Sequence, residues 1–475
     1  MLVLCAQACS FAQPNMLILL SDDQRYDALG VAGNTRIRTP SIDALAQRGV
    51  RFSRASIMGS YHAAVCAPSR AMLLSGRSLY HVNDALEGIP TLPMLLREAG
   101  YVTFGTGKWH NGEASFARAF SIGTAVFFGG MSDHRAVPVR DLRSDGSYSA
   151  PVRKGFSSEV FADAAIGFLR SYAAGGSSAP FFAYVAFTAP HDPRTPPPEY
   201  QRMYAPEDVD LPSDFLPVHP FNNGWMTGRD EQLAPWPRTP AVIRSQIAEY
   251  YGMVTHLDDQ IARILRCLEE LDLRKNTIIV FASDNGLSLG SHGLLGKQNL
   301  YEHSTRVPLI ICGPGVPSER VSDALVYLHD VMPSLLDMAG LPEPPGIDGQ
   351  SLVQLLRGET DGIRSSIFTT FEVCQRAVCD GRWKLIRYPR IHHTQLFDLE
   401  ADPWELQNLA AHPEHQARVT RLMTLLLEWQ NRTDDTLSLS SCPRDSMAFD
   451  FSAVRRTPDP HQPDEIIQKY FPPQR

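Results

Sequence analysis

The sequence predicts an α/β fold, with a large, mainly parallel (mixed) sheet between helices and a smaller C-terminal α+β domain carrying an antiparallel sheet. Three observations predict it. Long apolar runs alternate with helical patterns, four of these runs pass directly into polar residues, and the last part of the chain changes to short strand patterns. Continuous apolar runs are typical of strands that are buried on both faces, as in parallel sheets covered by helices.

The four apolar runs are predicted strands of the large sheet. They cover residues 16–20, 101–104, 181–187 and 277–282. Ligands of such sheets bind beyond the carboxyl ends of the strands, which meet at one edge. Polar loops without a common role are the alternative, but that alternative does not explain why charged groups recur after each run. We therefore expect one edge to gather these residues: Asp22, Asp23, Lys108, His110, His191, Asp284 and Asn285.

Helices are predicted between these strands. Residues 92–99 form one, ended by Gly100, and residues 243–271 carry apolar side chains at every third or fourth position, as a long amphipathic helix does. A further helix should start just after Cys66, with Pro68 at its first position and Gly76 at its end.

The chain divides into three predicted parts. Residues 1–12 are apolar and rich in small residues, which indicates the remnant of a truncated signal peptide and a secreted or periplasmic protein. An apolar leader of the first strand is the alternative. Residues 13–362 form the predicted catalytic domain, and residues 363–475 the smaller domain, with short strands and a helix at 416–429.

Composition excludes some functions. The formal net charge of -8 over 475 residues argues against a general nucleic-acid binder. No apolar stretch approaches the length of a transmembrane helix. Cys374 and Cys379 could form a disulfide in an exported protein, but their spacing does not establish it. The oligomeric state is left open.

The most specific motif is the pentad Cys-Ala-Pro-Ser-Arg at 66–70. A cysteine at a helix start lies where free N–H groups and partial positive charge favour an anion. A buried free cysteine is the structural alternative. The pentad resembles the activation signature of the type I sulfatases, which have an alkaline-phosphatase-like fold, and the match in order of further motifs covers residues 15–430.

The resemblance implies the chemistry. A maturation enzyme would oxidise Cys66 to Cα-formylglycine, whose hydrate attacks sulfate esters, and Arg70 would hold the hydrate. Lys108 and Lys297 would bind the sulfate oxygens. His191 would protonate the leaving alcohol and His110 would take the proton that regenerates the aldehyde.

A metal ion is the predicted cofactor. Asp22, Asp23, Asp284 and Asn285 form an all-oxygen set that suits Ca²⁺ or Mg²⁺, although a single Asp pair could be only a solvated turn. The resemblance implies one Ca²⁺ held by these four residues and by the residue derived from Cys66.

The predicted substrate is a sulfated carbohydrate. Phosphonate monoester and phosphodiester hydrolases and choline sulfatases share the pentad and are therefore the alternative enzymes. They commonly carry His where this chain has Asn285, which favours the sulfated carbohydrate. A sulfated-glycan binding protein on the same fold is the non-enzymatic alternative. Basic residues outside the sulfate pocket are predicted to attract the polymer: Arg135, Arg140, Arg143, Arg382, Lys384, Arg387, Arg390, His392 and His393.

Overall fold

The computed structural model describes residues 13–442, 444–456 and 459–471, so the predicted signal-peptide remnant at 1–12 lies outside the described residues. The strands of the described part are β1 (Asn15–Ser21), β2 (Gly49–Phe52), β3 (Ala55–Ser56), β4 (Gly59–Ser60), β5 (Val102–Lys108), β6 (Ile122–Phe127), β7 (Pro138–Val139), β8 (Val152–Arg153), β9 (Phe181–Ala186), β10 (Thr277–Ser283), β11 (Leu309–Cys312), β12 (Arg320–Ser322), β13 (Val326–Tyr327), β14 (Ile367–Phe371), β15 (Gln375–Cys379), β16 (Trp383–Tyr388) and β17 (His393–Asp398).

The α-helices of the described part lie between these strands and after them. They are α1 (Pro40–Gln47), α2 (Cys66–Ser75), α3 (Leu92–Glu98), α4 (Glu113–Ala119), α5 (Ser157–Ala174), α6 (Pro198–Gln201), α7 (Pro240–Glu270), α8 (Glu302–Thr305), α9 (Val331–Met338), α10 (Val353–Arg357), α11 (Gln416–Arg432) and α12 (Asp464–Tyr470). In the part of the chain described, no helix combines the length and the apolar character needed to cross a membrane.

The large sheet confirms the predicted fold class. Its strand order is β12-β2-β11-β10-β1-β9-β5-β6. The run β10-β1-β9-β5-β6 is parallel, whereas β11 is antiparallel to both β10 and β2. The four predicted strands are thus neighbours at the centre of the sheet. Their carboxyl ends therefore share one edge, as the sequence predicts.

Helices cover both faces of this sheet. Along β1, Met16, Ile18 and Leu20 belong to one hydrophobic cluster, which includes residues of α2, α3 and α9. Leu17 and Leu19 belong to a second cluster, which includes residues of α1, α5 and α7. Alternate side chains of a strand point to opposite faces, so the two clusters are the cores of the two sides.

A second sheet follows in the C-terminal part of the chain, with the order β17-β16-β15-β14-β4. Neighbouring strands from β14 to β17 are antiparallel to each other. At one edge, β14 also pairs in parallel with β4, which comes from the N-terminal half of the chain. Side chains of this sheet and of α11 lie in the same hydrophobic cluster as α2. One continuous core therefore joins the smaller sheet to one face of the large sheet.

One local expectation is corrected, and one open question is resolved. The helix at the pentad begins at Cys66 itself, so Pro68 is its third residue and not its first, while Gly76 ends it in the left-handed conformation with φ 65°. The pairing of Cys374 and Cys379, which the sequence leaves open, is not formed: both are free, and they lie just before and at the end of the extended strand β15.

Candidate active site

The polar residues after the central strands meet at one buried edge. Parallel pairing aligns Ser21 at the end of β1 with Ser283 at the end of β10, and Leu20 with Ala186 on β9. On the far side of β9, Gly107 of β5 also pairs with Ala186. The residues that follow these ends are thereby placed side by side: Asp22, Asp23, Lys108, His110, His191, Asp284 and Asn285.

The backbone at this edge is held in unusual conformations. Asp23 and His110 have φ of 67° and 63°, in the left-handed region that costs a non-glycine residue free energy. Gly107, with φ 85°, passes so close to β9 that a Cβ atom would lie 1.8 Å from the carbonyl oxygen of Ala186. Such strain is held by the surrounding sheet, and it concentrates at functional sites.

Cys66 lies at the centre of the site, at the first position of α2. Its side chain is buried, and its Sγ lies 3.2 Å from His110 Nδ1 and 3.5 Å from Lys108 Nζ. A thiol between an imidazole and an ammonium group at a helix N-terminus lies where negative charge is favoured. The same place suits an attacking oxygen if the side chain is modified.

Arg70 lies one turn after Cys66 on α2, and its side chain bonds residues at the ends of two strands. Its guanidinium is buried and donates from Nε to Asp284 Oδ2 at 2.8 Å and from Nη1 to the Lys108 carbonyl at 2.6 Å. The Nη2 group lies 3.8 Å from Asp22 Oδ1. The pentad arginine therefore positions the loops that carry the acidic residues and the lysine.

Three buried carboxylates face three buried cationic side chains. Lys108 Nζ lies 2.6 Å from Asp22 Oδ2, and Lys297 Nζ lies 2.6 Å from Asp23 Oδ1. Arg70 pairs with Asp284, so the three cationic side chains offset the three carboxylates. A bound divalent cation would leave the pocket with excess positive charge, which favours an anionic substrate.

The pKa shifts follow from this burial and pairing. Burial raises the pKa of Asp22. Burial opposes ionisation of Asp23 too, but His191 and Lys297 outweigh it and hold the pKa of Asp23 below its ordinary value. Burial lowers the pKa of His110 to about 2 and that of His191 to about 4. Both imidazoles are therefore neutral at pH 7 before substrate enters.

The carboxylates fit a hard metal ion. One ligand atom each from Asp22, Cys66 and Asp284 lie within 4.8 Å of one another, and the same holds for Asp22, Asp23 and His191. The oxygens Asp22 Oδ1 and Asn285 Oδ1 are buried without a hydrogen-bond partner. Unpaired buried oxygens are costly, and bound Ca²⁺ or Mg²⁺ would satisfy them.

His191 is oriented by residues that the sequence did not indicate. Its Nδ1 lies 2.8 Å from the Asp192 carbonyl oxygen, and its Nε2 lies 3.7 Å from Asp23 Oδ2. Arg229 binds the Asp192 carboxylate through both nitrogens, at 2.6 and 2.5 Å, and Gln462 donates to it at 2.5 Å. These residues come from a long insert and from the C-terminal segment, which carry no periodic pattern.

The structure contradicts the expected basic surface at Lys384. Lys384 is buried, at 2% exposure, and bonds Glu302 and Glu405 at 2.8 and 2.9 Å. Four other members form ion pairs, in which only Asp133 is close in sequence to its partner: Arg382 with Asp398, Arg390 with Asp445, Arg135 with Asp133 and Glu465, and Arg140 with Glu113. The stretch lacks acidic residues locally, but the fold supplies them.

Two family models match the chain. A family model described as Sulfatase matches residues 14–341, which include every residue placed at the edge above. A second model, described as the C-terminal part of N-sulphoglucosamine sulphohydrolase, matches residues 290–432. Together the two matches span both sheets.

Curated relatives and a solved structure are similar over nearly the whole chain. An arylsulfatase of Clostridium perfringens is 29% identical and covers 88% of this chain and 94% of that protein. An N-acetylglucosamine-6-O-sulfatase of Bacteroides thetaiotaomicron is 27% identical, with 89% and 87% covered. A structure in complex with its substrate D-glucosamine-2-N,6-O-disulfate aligns with a TM-score of 0.76 at 24% identity, covering 90% of this chain and 100% of that one, which shows a shared fold.

Proposed function

Since the chain belongs to the sulfatase family and hydrolyses sulfate esters, we propose that its substrate is a sulfated carbohydrate and that its nucleophile is a formylglycine hydrate derived from Cys66. The observation that carries the proposal is the position of Cys66, between a half-buried imidazole and a buried ammonium group and close to the carboxylates of Asp22 and Asp284. A complete set of charged groups around the nucleophile also favours an enzyme over a binding protein on the same fold.

The first step transfers sulfate to the enzyme. One hydroxyl group of the hydrate loses its proton to water, its oxygen attacks sulfur, and the bond from sulfur to the alcohol oxygen breaks. Lys108 and Lys297 lie where they would bind the sulfate oxygens, and fixed charge in a dry site is usually the largest catalytic contribution. His191 gives a proton to the leaving alcohol, because the negative charge of bound sulfate favours the protonated imidazole.

The second step releases the sulfate. His110 Nδ1 lies 3.2 Å from Cys66 Sγ, so it is close enough to the modified side chain to take the proton of the remaining hydroxyl group. The bond between the formylglycine carbon and the sulfate oxygen then breaks, the aldehyde re-forms and sulfate leaves. Water adds to the aldehyde to restore the hydrate. A serine at this position would lack the second hydroxyl group and could not release sulfate in this way.

A single Ca²⁺ is the proposed metal. Asp22, Asp23, Asp284, Asn285 and the modified residue 66 would hold it, as the unpaired oxygens and the ligand spacing support. When bound, it would lower the pKa of the hydrate and orient a sulfate oxygen.

The proposed substrate class rests on two observations. Relatives with similar sequences and a similar structure include enzymes named for sulfated amino sugars. This chain also has Asn285 where the phosphonate hydrolases and choline sulfatases commonly have His. The proposed location is the periplasm or the outside of the cell, with a formylglycine-generating enzyme as the maturation partner.

A substrate panel tests the proposal. Matured enzyme should turn over at least one sulfated mono- or oligosaccharide with a higher kcat/KM than choline sulfate or a phosphonate monoester. Released sulfate, or for the phosphonate monoester the released alcohol, measured under identical conditions, gives the comparison. Preference for choline sulfate or for the phosphonate would contradict the carbohydrate assignment while leaving the catalytic site as proposed.

His191→Ala should affect substrates unequally. With a sugar sulfate the leaving alkoxide needs a proton, so we expect kcat to fall by about 10²–10⁴-fold. With nitrophenyl sulfate the leaving group hardly needs protonation, so the loss should be at least tenfold smaller. Comparing the two substrates on one protein preparation controls for incomplete folding or maturation. Equal losses would indicate that His191 positions sulfate instead of donating a proton.

A further inference from the structure

A second polar cluster is buried around the segment that carries Lys297. Asp214, His292 and His303 each bring one ligand atom within 4.8 Å of the others, and all three side chains are buried. His292 Nε2 lies 3.3 Å from Asp214 Oδ2. The catalytic steps proposed above use none of these residues.

Several atoms of the cluster have no partner. His292 Nε2, His303 Nε2 and Asp214 Oδ1 are buried without a hydrogen-bond partner. The other ring nitrogen of His303, Nδ1, is 2.9 Å from Ser304 Oγ, so Nε2 is the nitrogen left for another ligand. Buried polar atoms are rarely left unpaired, and unpaired atoms of three ligand-type side chains at one place indicate a missing partner.

The surrounding structure holds these side chains in place. The backbone N–H of His292 donates to the Asp214 carbonyl at 2.8 Å, although φ of His292 is 51°. The ring of Tyr301 stacks on His292, with centroids 3.8 Å apart and planes 12° apart. A set of ligands fixed by packing and by hydrogen bonds is the arrangement that a metal site needs.

The chemistry of the set distinguishes it from the catalytic edge. Two imidazole nitrogens and one carboxylate oxygen suit Zn²⁺, whereas Ca²⁺ takes oxygen ligands. Tetrahedral zinc with bonds of about 2.0–2.2 Å holds neighbouring ligand atoms about 3.3–3.6 Å apart. The distance of 3.3 Å between His292 and Asp214 agrees with that spacing.

The protonation and charge of the surroundings also suit a metal. Burial lowers the pKa of His292 to about 3 and also lowers the pKa of His303, so both rings are neutral at pH 7, as metal ligands must be. Arg25 bonds Ser291 Oγ, next to His292, at 3.2 Å, but Asp27 pairs with its guanidinium at 2.7 Å. That pairing reduces the repulsion between this arginine and a bound cation.

We propose that Asp214, His292 and His303 bind one Zn²⁺ ion. A water molecule would complete the tetrahedral coordination as the fourth ligand. The ion would fix the two ends of the segment that carries Lys297 and tie them to the insert that carries Asp214. Its role would be structural, because the cluster is separate from the nucleophile.

Metal content tests this site. The full chain is freed of metal with a chelator, supplied with Zn²⁺ and excess Ca²⁺, passed through a desalting column and analysed by mass spectrometry for both metals. We expect about one zinc per chain. His303→Gln and Asp214→Asn should each lower retained zinc more than tenfold, whereas His329→Gln, which alters a buried histidine outside the cluster, should retain it.

Thermal unfolding provides a second readout. Zinc should raise the Tm of the natural protein and of His329→Gln but not that of His303→Gln. Asp284→Asn, at the catalytic edge, should lose Ca²⁺ and keep zinc, so failure of the proposed calcium site and failure of the zinc site are distinguishable. No retained zinc in the natural protein, or equal zinc in His303→Gln, would overturn the proposal.

X-ray absorption at the zinc edge covers the case in which the variants do not fold. In the zinc-loaded natural protein, the spectrum should show two imidazole ligands with the remaining ligands oxygen. A shell with sulfur ligands, or with oxygen ligands only, would place the zinc elsewhere and overturn the assignment.

Discussion

Asp284→Asn should abolish sulfate-ester hydrolysis, with kcat/KM falling by more than about 10³-fold. The side chain of Asp284 is fully buried, bonds Arg70 at 2.8 Å and lies in the ligand cluster with Asp22 and Cys66. Removing its charge weakens the proposed metal site and leaves the Arg70 guanidinium without its close anionic partner. Steady-state kinetics on nitrophenyl sulfate, together with the calcium content of the protein, measures both effects.

Asp330→Asn is the matched control for Asp284→Asn. Asp330 is also fully buried and also pairs with an arginine, Arg364, but it belongs to none of the ligand clusters. We expect Asp330→Asn to lose stability but to keep calcium and most of kcat. Chelation of the natural protein should remove activity, and Ca²⁺ should restore it. Full activity of protein shown to be free of metal would contradict the proposed role of the ion.

Cys66→Ser should lose repeated turnover. A serine hydroxyl at the start of α2 has Lys108 and His110 in place and can accept sulfate, but the ester has no second hydroxyl group to drive release. We expect at most one product molecule per chain and a protein heavier by about 80 mass units, the mass of a transferred sulfate group. A rapid burst measurement, followed by intact-mass analysis, tests both expectations.

Cys267→Ser is the control for loss of a buried thiol. Cys267 is 3% exposed, lies on α7 and belongs to none of the ligand clusters of the described residues. It should keep the kcat of the natural protein, apart from a modest loss of stability. Continuous turnover by Cys66→Ser at the natural rate would show that the geminal hydroxyl groups are not needed.

Much of the architecture could be predicted because continuous apolar runs indicate buried strands. The four runs became the neighbouring strands β10, β1, β9 and β5, so the polar residues that follow them had to meet. The long helix was equally clear, since its apolar spacing continues through nearly all of α7, Pro240–Glu270. The family of the chain was also predictable, because the pentad is a local motif.

Contacts between distant segments could not be predicted. Arg229 and Gln462 reach Asp192 from segments without periodic apolar patterns, so nothing local indicated their partner. The prediction that Lys384 belongs to a basic surface was wrong for the same reason, because its partners, Glu302 and Glu405, are distant from it in sequence. The position of Pro68 was wrong by two residues, since a helix start depends on backbone geometry that several local patterns permit.

The central claim is that the modified form of Cys66 is the nucleophile, and peptide mass mapping joined to kinetics tests it most directly. Samples are prepared from hosts with and without the maturation enzyme, and the fraction of the Cys66 peptide that is lighter by about 18 mass units, as the aldehyde, is measured in each. The account predicts that kcat per chain rises in proportion to that fraction and is zero where the thiol is intact. Natural-level activity in a sample whose Cys66 peptide is entirely thiol would contradict it.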